Sequence, residues 1–168
     1  MALNFKIFAL TLSLVLFYVL ALASGQTTIT TTTIGEKNYR VVTYEKVNWY
    51  RAYQLCAVAG MQLASIESES EAKALSEFLF ANSLLFNNYW LAGNNLANRG
   101  EYVWLSSGNR LSYTKWADNQ PGTLANRCIR TNAELKWITE PCSNTNYYIC
   151  SSPTVPDCLT GECKLAFE

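Results

Sequence analysis

The sequence predicts an α+β domain held by disulfides. Two segments carry helical apolar spacing, a series of short apolar runs separated by Asn, Gly and Ser follows them, and six cysteines lie downstream of an apolar leader. The chain has 168 residues, 49% of them apolar, enough for the core of one ordinary domain.

The leader, MALNFKIFALTLSLVLFYVLALASGQ, has one positive charge at Lys6, an apolar run from Ile7 to Ala23, and small residues at Ala21, Ala23, Ser24 and Gly25. That is the pattern of a secretory signal peptide, read as residues 1–23. The run approaches the length that spans a bilayer, so membrane attachment is expected if the signal stays uncleaved. Its removal takes one lysine from 13 basic and 13 acidic groups, leaving 12 and 13. Such a neutral chain without a Lys/Arg cluster gives no field for nucleic acid, and none is expected as a partner.

The exported part opens with QTTITTTTIG (26–35), either a strand or a glycosylated stalk. β-branched threonine favours the strand, and Gly-Glu-Lys-Asn before Tyr39, Val41 and Val42 makes a hairpin with it. NWYRAYQLCAVAG (48–60) begins on a capping Asn and ends on Gly, with Trp49, Tyr53 and Cys56 at helical spacing. Ser68-x-x-Glu71 is a capping box that opens a second helix from about Glu69 to Ala81, with Leu75, Phe78 and Leu79 on one face. The runs at 89–93, 101–105, 127–131, 135–138 and 147–150 are short strands. Between Leu105 and Arg127 lies a long polar stretch of the kind that carries function in compact domains.

All six cysteines, Cys56, Cys128, Cys142, Cys150, Cys158 and Cys163, lie in the exported part and read as three disulfides. Spacing leaves the connectivity open, although Cys158 and Cys163 are close enough to close a small loop together. Zinc is not expected: no Cys-x-x-Cys occurs and the chain has no histidine. The missing histidine also excludes Ser-His-Asp and Cys-His hydrolases, which favours binding over catalysis.

In order, NWYRAYQLC, GMQLASIESESEAKALSEFL, YWLAG, GEYVWLSSG, KWADNQPG, KWITEPC and NYYIC resemble the C-type lectin-like domain family, over about Ile34 to Ser151. The resemblance implies an α+β fold with two helices, two small antiparallel sheets and a long loop region, as a domain over 24–151. It also implies the bridges Cys56 to Cys150 and Cys128 to Cys142, each worth on the order of 3 to 5 kcal/mol in the chain-entropy view. Cys158 and Cys163 then pair with each other in a tail, 152–168.

Many family members bind sugar through calcium, an ion that takes six to eight oxygens, several of them charged. The family supplies these from a Glu-Pro-Asn or Gln-Pro-Asp triplet, an acid shortly before a cysteine, and an Asn-Asp pair after a tryptophan. Here the triplet is Gln120-Pro121-Gly122, the residue two before Cys128 is Asn126, and Ile138 and Thr139 follow Trp137. Most ligands are replaced, so no cofactor is expected, unless Asp118, Asn119, Asn132, Glu134 or Glu140 builds a shifted calcium site. The expectation is a secreted, extracellular, non-enzymatic recognition protein for a glycan or glycoprotein, with Asp118, Asn119, Gln120, Asn126 and Thr139 as ligand-binding candidates. The alternative is a calcium-independent protein-binding module. Tyr113 and Trp116 are weighed as sugar platforms, and Gln120 leans weakly toward galactose-type ligands. The oligomeric state is left open.

Overall fold

A computed structural model of the chain describes residues 29–154. The leader and the Cys158/Cys163 pair expected in the tail lie outside the described residues.

Two strands open the domain, β1 (Ile29–Ile34) and β2 (Lys37–Val47). They pair antiparallel from Ile29↔Val42 to Ile34↔Lys37, and Gly35 at φ 58 makes the tight turn between them. The threonine run is therefore a strand. Helix α1 (Trp49–Val58) starts where the Asn48 side chain accepts from Arg51 N. It buries Trp49, Ala52 and Cys56. Tyr53, expected on the inward stripe, is 42% exposed and stacks on Trp49 at 6.3 Å between ring centroids. The buried stripe runs instead through Ala52, three residues after Trp49 and four before Cys56.

Helix α2 (Glu69–Ala81) buries Ala72, Leu75 and Leu79, with Phe78 at the edge of the core. Its capping box is half formed. Ser68 Oγ accepts from Glu71 N at 3.2 Å, but Glu71 reaches back to Glu67 N at 2.7 Å rather than to Ser68 N, and also accepts from Lys37 Nζ and the Tyr39 hydroxyl. The glutamate thus ties the helix start to β2.

The remaining strands are β3 (Gln62–Leu63), β4 (Tyr89–Asn94), β5 (Val103–Trp104), β6 (Arg127–Thr131), β7 (Trp137–Pro141) and β8 (Asn146–Pro153). Along the sheet the order is β1-β2-β8-β4-β6-β7, with β3 added to β8 and β5 to β4. The two antiparallel parts are joined by a short parallel ladder, Tyr89↔Tyr147 and Trp90↔Tyr148, so that one mixed sheet runs through the molecule. β7 begins two residues later than its apolar run, because Leu135 sits at φ 56 in a turn where Asn132 Oδ1 accepts from Glu134 N and Lys136 N, both at 2.9 Å.

The core gathers Trp90, Trp104, Trp137, Tyr39, Leu75 and Ile129 around both disulfides. Cys56–Cys150 ties α1 to β8, and Cys128–Cys142 ties β6 to the end of β7. At Gly93 of β4 an added Cβ would lie 2.3 Å from Ile129 Cδ1, so this position leaves Ile129 the space directly over the strand.

Candidate functional site

The middle of the long polar stretch is anchored to β7. Trp137 N donates to Lys115 O at 2.7 Å and Ala117 N donates to Trp137 O at 2.9 Å, a two-residue bridge that sets Trp116 beside the first residue of β7. Around fully buried Trp137 stand Trp104, Tyr113 and Trp116, each ring edge-on to it at 5.3 to 5.8 Å. Trp116 is therefore largely a wall of the loop core, and Tyr102 packs edge-on against it at 5.4 Å.

This anchor brings two of the five candidate residues together. Gln120 Oε1 accepts from Thr139 N at 2.9 Å and from Thr139 Oγ1 at 2.8 Å. The Thr139 hydroxyl in turn accepts from Gly122 N at 2.9 Å. A Cβ on Gly122 would lie 2.9 Å from that hydroxyl, so the bare glycine and the threonine are complementary: one leaves the space that the other fills. The Gln120–Pro121 peptide is cis.

Asp118, Asn119 and Asn126 do not join them in a cluster. Asp118 and Asn119 lie exposed in a turn closed by Gln120 N donating to Ala117 O, and Asn126 lies exposed just before β6. Asn119 at φ 60 and Asn126 at φ 56 occupy the left-handed region, which amide side chains tolerate better than most.

The neighbouring glutamates are paired. Glu140 accepts from Arg130 Nε at 2.8 Å and from the Asn146 amide, and Glu134 stands 3.0 Å from Lys136 Nζ. The Glu134 carboxylate raises the Lys136 ammonium above its ordinary value, with Asp118 adding a weaker pull. Tyr102 donates to Gly122 O at 3.3 Å, and burial raises its phenol above the usual tyrosine value.

Asn95, which sequence reasoning passed over, organises the other end of the loop. It is 2% exposed. Its amide nitrogen donates to Leu124 O at 2.9 Å and Arg99 O at 3.2 Å, and its Oδ1 accepts from Arg127 N at 2.7 Å. Arg99 Nε adds a bond to Thr123 O at 2.8 Å. A visible signal was the Asn94-Asn95 doublet closing an apolar strand, where a buried amide must find partners.

The fold, its two bridges and this loop define a lectin-like domain, and comparison with known proteins places it. The family model described as "Lectin C-type domain" matches residues 45–152, and the chain belongs to that family. It is 33% identical over 113 residues to "C-type lectin mosGCTL-7" of Aedes aegypti, covering 62% of this chain and 75% of that one. It is 31% identical over 129 residues to "C-type lectin 37Da" of Drosophila melanogaster, covering 70% and 69%. Among solved structures, the mouse scavenger receptor C-type lectin carbohydrate-recognition domain superposes with a TM-score of 0.65 at 20% identity, covering 73% of this chain and 93% of that one.

Proposed function

We propose that this protein is a secreted carbohydrate-recognition domain that binds its glycan or glycoprotein ligand without calcium. The carbohydrate reading rests on membership of the lectin family. The calcium-free reading rests on one observation, the closed bonding of Gln120, Thr139 and Gly122. A calcium ion would need several charged oxygens there. Gln120 and Thr139 offer two neutral ones that already satisfy each other, Glu140 is held by Arg130, Glu134 is paired with Lys136, and among the described residues no three acids, Asp118 included, gather to hold a metal ion. The residues do not fit the ion. Gln120 and Thr139 brace the loop, and Asp118, Asn119 and Asn126 lie exposed along it as polar groups.

Export is supported by the apolar leader and by two disulfides, which need an oxidising compartment. Among the described residues no helix is long and apolar enough to cross a membrane. The reading is of a binder rather than an enzyme, in line with a chain that lacks histidine.

A glycan array probed in EDTA and again in millimolar calcium tests the proposal. Equal binding in both is expected. Binding confined to calcium, accompanied by a calcium-induced rise in melting temperature, would overturn the calcium-free part. An array blank in both conditions would turn the assignment toward a protein ligand.

A further inference from the structure

We infer that the saccharide seats in a cleft on the flank of the long loop, walled by Tyr102, Trp116 and Pro121 and edged by Asn98, Glu101 and Arg110. The inference rests on the carbohydrate reading above and names the place and the class of sugar.

The cleft is an open groove that offers about 430 Å³, within the roughly 300 to 1,000 Å³ of small-ligand sites. Its walls are fixed before any ligand arrives. On one side the chain turns back at 104–111, with Trp104 N donating to Asn109 O at 2.9 Å and Val103 bridging Arg110. On the other, Trp116 is held by the bridge to Trp137. A preformed wall spares a ligand the cost of ordering it.

The chemistry is that of a sugar ring. A pyranose has an apolar face of C–H bonds and a rim of hydroxyls that both donate and accept. Tyr102 and Trp116 are half-buried, so part of each ring faces solvent as an apolar surface, and Pro121 extends it. At the rim Glu101 is an acceptor and Arg110 a donor, paired with each other, and Asn98 Nδ2 lies 3.4 Å from Glu101 Oε2. Charged hydrogen-bonding groups of this kind hold hydroxyls more strongly than neutral ones. The two charges of the lining cancel, which favours a neutral hexose or N-acetylhexosamine over a sulfated or acidic sugar. A larger hollow of about 590 Å³ beside β1 lacks such a platform, because its tyrosine, Tyr39, is fully buried.

The test is calorimetric titration of the full exported chain in EDTA with methyl galactoside, methyl mannoside and N-acetylglucosamine, for wild type, Glu101→Gln and Arg110→Gln. At least one sugar is expected to bind the wild type. Each substitution should weaken it by about tenfold, the loss of one charged hydrogen bond. Melting temperatures should stay close to wild type, since the Arg110 side chain is 81% exposed and an exposed pair adds little to stability. Wild-type affinity in both folded variants overturns the cleft and leaves the carbohydrate reading standing. No heat with any of the three sugars, with or without calcium, overturns both.

Discussion

At the scale of single residues, the Thr139 hydroxyl does two jobs, donating to Gln120 and accepting from Gly122 N. Thr139→Val keeps the shape but leaves Gly122 N without its acceptor, and unfolding in urea should show a loss of about 1 to 2 kcal/mol. Gly122→Ala attacks the same contact from the other side, since its Cβ would meet the hydroxyl at 2.9 Å. Glu67 gives a pH dependence. The Ser65 hydroxyl, at 2.6 Å, holds its carboxylate below the ordinary 4.5, with Lys37 assisting against the opposing effect of burial. A carboxylate depressed in the folded state contributes stability above pH 4.5 that is lost as pH falls through the lower folded value. The melting temperature should therefore decline over that acid window and decline less in Glu67→Gln. The effect is small, because the Glu67 side chain is 48% exposed.

At the scale of elements, the 95–127 segment has little regular structure beyond β5, yet it is held at both ends. Trp137 clamps Lys115 and Ala117, and Asn95 gathers Arg99, Leu124 and Arg127. Asn95→Ala would strip four part-buried bonds at once, to Arg99, Tyr102, Leu124 and Arg127, and a cost of about 2 to 3 kcal/mol is expected, allowing for partial relaxation. Amide hydrogen exchange should then speed up over 98–126 while β2 and β8 stay protected, which separates loop release from global destabilisation. Elements with strong local signals were legible in the sequence. Asn48 and Ser68 announced the helix starts, and the glycine-turned threonine hairpin announced β1 and β2. β3 has two residues and no pattern of its own; it is a strand because β8 offers an edge to Gln62 and Leu63.

At the scale of the whole molecule, the two disulfides close very different lengths of chain, 94 and 14 residues. In the chain-entropy view the long loop is worth about 4 to 5 kcal/mol and the short one about 3. Replacing Cys56 and Cys150 together by Ala should lower the melting temperature more than replacing Cys128 and Cys142. The shorter bridge lies beside the proposed ligand-binding loop, so its removal should act more on ligand affinity than removal of the long one does. Equal thermal losses from both pairs would show that strain or residual structure, not loop length, sets their worth.

The sequence by itself determined the helices, most of the strands, the family and the neutral chemistry around Pro121, because periodicity, capping and residue type are local properties. It also shows Gly122, Asn126, Ile138 and Thr139 where the family resemblance leads one to expect calcium ligands. What the tertiary structure decided was which of those residues meet. Gln120 and Thr139 are 19 positions apart, and their bond exists because the Trp116–Trp137 bridge lays the loop along β7. The same bridge stands Trp116 across from Tyr102, 14 positions earlier, to form the cleft. Contacts of that kind are settled by the packing of a buried tryptophan, and no spacing along the chain encodes them.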